Sequence, residues 1–166
     1  MLHDLIAARL SGDTTLMVTL TGGAWSRPLA RNQSPTGSPA TPGSTPGAFD
    51  VAADGSSGHL RPAAVVGAPN EVGHPSGKRG VRALAWDAFV QVHLYAPATA
   101  TGKAAIETAD GRIQALLHGW MVPGSFATVE ALPERVGPID SDEFPGSVQT
   151  YRRFRTTGVR IIERVA

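Results

Sequence analysis

The stretch VRALAWDAFVQVHLYAPATATGKAAIETADGRIQALLHG, residues Val81 to Gly119, decides the fold. From Val81 to Tyr95 the pattern has a period of two. Val90, Val92 and Leu94 fall on one face, and Phe89, Gln91, His93 and Tyr95 on the other. A strand this long is expected to be central and partly two-sided. Ala96-Pro97 stops it, and Thr99 or Thr101 can cap a helix that runs to about His118. The period now changes to that of a helix. Ile106, Ala109, Ile113, Leu116 and Leu117 form an apolar stripe, and Lys103, Glu107, Asp110, Gln114 and His118 form the opposite, solvent-facing one. Gly119 stands where a helix-ending glycine belongs. The spacing predicts that this helix lies on the Val90, Val92 and Leu94 face of the strand.

Outward from this unit the signals are shorter. Leu2, Leu5, Ile6 and Leu10 predict a helix over residues 1–11. Asp13 can cap a second helical turn carrying Leu16, Met17 and Leu20, which Gly22-Gly23 ends. From Gln33 to Ala48, 13 of 16 residues are Pro, Gly, Ser or Thr, and no charge occurs between Arg31 and Asp50. That composition predicts a flexible loop insertion over 33–48, since it buries too little apolar surface to offset its ordering cost. Phe49 to Ala52 and Leu60 to Val66 read as short strands, and Gly67 to Gly80 as a second long loop. Trp120 to Leu132 reads as a strand with Gly124 as a bulge, residues 133–147 as a Pro- and acid-rich loop, and Gln149 to Val165 as a closing strand. The expectation is one α+β domain over residues 1–166. It has a mostly antiparallel sheet, helices packed on one face, and long Pro/Gly-rich loops.

Composition narrows the function classes. With 15 Lys+Arg against 14 Asp+Glu there is no global field to draw nucleic acid or an anionic membrane. The charge is nevertheless uneven: residues 151–166 carry a net of +4 and the first 150 a net of −3. The absence of Cys excludes disulfides, thiolate metal sites and thiol catalysis. No apolar run approaches a membrane span, and Asp4 interrupts the place where a signal peptide would be apolar. No GxSxG or GxxxxGK[ST] motif occurs, and the five histidines show no HxH or HxxxH pairing. Gly55 to His59 reads as a polar turn, and Asp140 to Glu143 as a solvated acidic loop lacking the calcium-loop spacing. The sequence offers no catalytic, cofactor-binding or metal-ligating residues.

The remaining candidates are surfaces. Tyr151-Arg152-Arg153-Phe154-Arg155 places Arg152 with Phe154 on one face and Tyr151, Arg153 and Arg155 on the other. Arg152, Arg153 and Arg155, together with Gln91 and His93 on the long strand, are candidate subunit or partner contacts; a small nucleic-acid-binding module is the alternative that a basic strand leaves open. Pro35, Pro39, Pro42 and Pro46 punctuate the uncharged loop and favour extended conformers, which suits an interaction arm.

The order of these pieces resembles the tail terminator (tail completion) proteins of long-tailed bacteriophages. The resemblance runs through LSGDTTLMVTLTGGAWSRPL (Leu10–Leu29), LRPAAVV (Leu60–Val66), FVQVHLYAP (Phe89–Pro97), AAIETADGRIQALLHGW (Ala104–Trp120) and YRRFRTTGVRI (Tyr151–Ile161). It implies a non-enzymatic virion protein that forms a hexameric ring. Such a ring caps the finished tail tube and joins the tail to the neck, with tube and neck or head-completion proteins as partners. It also implies non-specific proximity to DNA in the ring lumen, no membrane, and residence in the host cytoplasm during assembly and at the tail–neck junction afterwards. Another neck or head-completion subunit is the alternative within the same particle.

Overall fold

The computed structural model describes residues 2–30, 33, 47–51, 57–76, 81–125 and 127–164. In chain order the elements are α1 (Leu2–Ser11), α2 (Thr14–Thr19), β1 (Ala24–Trp25), β2 (Phe49–Val51), β3 (Ser57–Leu60), β4 (Ala63–Val66), β5 (Asn70–Ser76), β6 (Val81–Pro97), α3 (Ala100–Leu117), β7 (Thr128–Asp140) and β8 (Ser147–Arg164). The expected long strand, β6, is the spine. It pairs with β8 from Val81↔Arg164 to Pro97↔Ser147. β7 follows on the far side of β8, while β4 and β5 share the other side of β6. β1 adds to β4 in parallel, the one parallel pair of the six-stranded sheet among the described residues. β2 and β3 form a separate antiparallel pair.

The helix ends follow from local chemistry. Asp13 accepts a 2.7 Å hydrogen bond from the Leu16 N–H and caps α2. The same carboxylate takes both ends of the Arg112 guanidinium, at 3.2 and 2.6 Å, which ties α2 to α3. Thr99 caps α3 through the Gly102 N–H at 3.0 Å. Gly102 is required there, because a Cβ would lie 2.1 Å from the Pro97 carbonyl oxygen. Gly119, at φ +77°, ends the helix as expected.

All three helices contribute to one core on one face of the sheet. Ile6 and Leu10, Leu16 and Leu20, and Ile106, Ala109, Ile113 and Leu117 meet Val90, Val92, Leu94, Ala96 and Phe154. The predicted docking of α3 on the Val90–Leu94 face holds. Leu116 does not go fully inside; it is partly buried at the rim of this core. A smaller cluster of Trp25, Ala48, Phe49 and Ala63 lies on the opposite face, with Val65 and Phe144 against it. The Trp25 indole N–H donates to the Gly22 carbonyl at 2.8 Å.

Four sequence boundaries are corrected. The stretch Gly67–Gly80 is not all loop, since Asn70–Ser76 is strand β5. Gly73 and Pro75 hide it in the sequence, yet both are tolerated in a strand that, among the described residues, pairs on one side only. LRPAAVV is two strands, broken at Arg61-Pro62. β7 begins at Thr128, later than Trp120, after a turn containing Gly124 at φ +72°. It then runs through the expected 133–147 loop as far as Asp140, taking up Pro133 and Pro138 in two register shifts against β8.

Candidate assembly surfaces

β6 and β8 alternate, so their two faces carry different chemistry. On the helix-covered face Arg152 points inward and grips Asp110 of α3 through two hydrogen bonds, 2.9 and 2.7 Å. Its third nitrogen donates to the Leu132 carbonyl at 3.3 Å. Arg135 of β7 joins from the side, 3.3 Å from Asp110 and 2.6 Å from Glu107. Asp110 is 6 % exposed, so the sequence reading that put it on a solvent stripe is corrected. Arg152, one of the candidate contact residues, has a side chain 11 % exposed and committed to Asp110. That hydrogen-bonded partner raises the Arg152 pKa above its ordinary value, against the opposing effect of burial. The sequence signal that could have found this pair was Asp110 itself, one turn from Ile106 and Ile113 at the border of the apolar stripe.

The opposite face carries Gln91, His93 and Tyr95 of β6 beside Gln149, Tyr151 and Arg153 of β8. His93 sits between two rings, stacked on Tyr95 at 6.3 Å and tilted against Tyr151 at 5.3 Å. The Gln149 side-chain amide donates to His93 Nδ1 at 2.8 Å, and His93 Nε2 lies 3.3 Å from Gln91 Oε1. A neutral ring protonated on Nε2 satisfies both contacts. Burial holds His93 below its ordinary pKa, with the Glu143 carboxylate pulling weakly the other way. The Tyr95 hydroxyl donates to Glu143 at 3.1 Å, and burial followed by that carboxylate raises the phenol pKa. Gln91 and His93 are thus brought together, as half-buried tiles of one polar and aromatic surface.

Arg153 and Arg155 also lie on this face, and each has a carboxylate. Arg153 is 3.5 Å from Glu134 of β7. Arg155 makes two hydrogen bonds to Asp87 of β6, at 3.2 and 3.0 Å, and the Thr157 hydroxyl adds a third at 3.1 Å. Arg152, Arg153 and Arg155 are therefore each matched by a carboxylate within the subunit. Pro35, Pro39, Pro42 and Pro46 lie outside the described residues.

Sequence reasoning missed a shallow groove on the helix side, lined by Leu5, Ala8, Arg9, Leu116, Trp120 and Pro123. Arg9 donates to the Leu116 carbonyl at 3.0 Å and lies 5.2 Å above the Trp120 ring. Among the described residues no group of three His, Asp or Glu side chains could hold a metal ion, and no helix is long and apolar enough to cross a membrane.

No protein-family model matches the chain, and no curated protein does. Among solved structures it superposes on a chain from the virion of a native gene transfer agent (GTA) particle, with a TM-score of 0.56. The two share a fold. The alignment covers 96 % of this chain and 95 % of the gene transfer agent chain, at 13 % sequence identity. The likeness to the gene transfer agent chain is one of architecture, almost end to end.

Proposed function

We propose that this chain is a structural virion protein that caps the completed tail tube as a ring and joins the tail to the neck. One observation carries the reading: the near-complete superposition on a chain of a gene transfer agent virion. The tail-capping role comes from the order of motifs that resembles tail terminators, from the Leu10 helix-and-glycine stretch to the Tyr151–Ile161 strand. The ring is of six copies, with the tube below it and a neck or head-completion protein above. The role is architectural and non-enzymatic. Fold alone leaves function open, so position in the particle is the deciding measurement. In particles that lack this chain, electron microscopy is expected to show tails of uncontrolled length and heads without tails. Tails of normal length that merely fail to join heads would replace this reading with that of a neck subunit.

A further inference from the structure

β7 begins opposite Thr157, while β8 runs on to Arg164. Among the described residues, β8 from Gly158 onward pairs with β6 alone. On the other side of β6, β5 covers Ala83 to Phe89 and pairs with nothing else described. Among the described residues the three strands form a ribbon with two open edges. Both edges flank the same part of β6: Trp86 to Ala83 face Gly73 to Ser76 on one side and Gly158 to Ile161 on the other. β5 and β8 each run antiparallel to β6, so they run parallel to each other.

An open strand edge presents unpaired N–H and C=O groups and invites another chain. This protein blunts one such edge. β7 carries Pro133 and Pro138 inside two register shifts, which interrupts any straight partner. The free part of β8 has no proline between Gly158 and Arg164, is rich in Val and Ile, and has one irregularity, beyond Ile161. β5 is free of proline from Asn70 to His74. β7 is interrupted twice, whereas β8 beyond Gly158 carries no proline and β5 carries one, Pro75, at its end.

We propose that the edge of β8 at Gly158–Ile161 pairs in parallel with β5 of a second copy, so that the ribbon continues from subunit to subunit. A second copy fits because the two open edges have the same chain direction and share a proline-free level, Gly73–His74 opposite Gly158–Val159, on opposite sides of one ribbon. Rotation about an axis along the strands brings β8 of one copy beside β5 of the next, whereas a two-fold axis would set β8 against β8. Such a contact is heterologous and closes when the rotation divides the circle. Each copy adds three strands, so six copies give about eighteen, a size at which barrels enclose a water-filled channel. The inference rests on the ring reading above.

Native mass spectrometry with amide hydrogen exchange on the intact chain tests it. At concentrations where the ring forms, amides of residues 70–74 and 158–161 are expected to slow relative to the dilute monomer, while those of 128–140 do not. A ring whose new protection falls on the helices or on β7 overturns the edge pairing and leaves the ring reading intact. A chain that is monomeric at every concentration and single-copy in the particle overturns both. Val159→Pro and Arg160→Pro give a second measurement, because successive strand N–H groups point to opposite sides. The variant that loses its outward N–H is expected to keep the parental circular dichroism and lose assembly. A folded pair that both assemble as the parent does would sink the proposal.

Discussion

Asp110 is the residue on which α3, β7 and β8 converge. Removing one partner of a buried ion pair leaves the other uncompensated, at a cost of about 3–5 kcal/mol. Asp110→Ala is therefore expected to lower the denaturant midpoint sharply, since Arg152 would keep its charge in a largely enclosed place. The double change Asp110→Leu with Arg152→Met is expected to recover much of that loss, and equal destabilisation by the single and double variants would show that the charges matter less than the shape. His93 gives a pH test at the same scale. Its folded pKa lies below the ordinary 6.5, so the unfolded chain binds the proton more readily in the interval between the two values. Stability is present in full above about pH 7 and falls as the pH drops through the unfolded pKa. Denaturation midpoints at about pH 8 and pH 5 are expected to differ less for His93→Gln than for the parent chain.

At the scale of elements, α3 is the best specified and still contains a weakness. Gly111 lies in its interior, exposed, with nothing within 4 Å of where a Cβ would be. Gly111→Ala is expected to stabilise the protein by about 0.5–1 kcal/mol by reducing the freedom of the unfolded chain. Gly102→Ala in the first turn should do the reverse, because its Cβ has no room beside Pro97. Thermal denaturation of the two variants checks both signs. The helix orientation is tested by a second series. Leu117 is fully buried, Leu116 partly buried and Gln114 exposed. Leu117→Ala is expected to cost about 2–5 kcal/mol, Leu116→Ala clearly less, and Gln114→Ala close to nothing.

At the scale of the whole molecule, a net of −3 over the first 150 residues and +4 over residues 151–166 is a layout that suits electrostatic contact between copies. The fold engages three of the arginines internally, as Arg152–Asp110, Arg153–Glu134 and Arg155–Asp87. An oligomer joined by strand edges in place of surface charges should depend weakly on salt, because hydrogen bonds within a ladder are not screened as exposed charges are. The mass distribution is expected to be similar at about 0.1 M and about 0.5 M salt. Dissociation at the higher concentration would mean that the arginines reach a neighbouring copy.

The α+β class, the long strand at Val81, the capped helix ending at Gly119 and the face on which that helix docks were all legible in the sequence. Each depends on a period or a cap within a few residues, and such local preferences survive in any context that buries the apolar stripe. The paired face of Gln91 and His93 was legible for the same reason. β5, the extension of β7 to Asp140 and the fate of the arginines were not. Glycine and proline in β5 and β7 oppose a strand locally, and only the edge position, supplied by β6 and β8, makes them acceptable. Arg152 finds Asp110 across 42 residues and Arg155 finds Asp87 across 68. Alternation said which side of β8 each arginine takes. Which carboxylate waits there is a property of sheet register and helix docking, and those are set by long-range pairing that no local stretch of the chain contains.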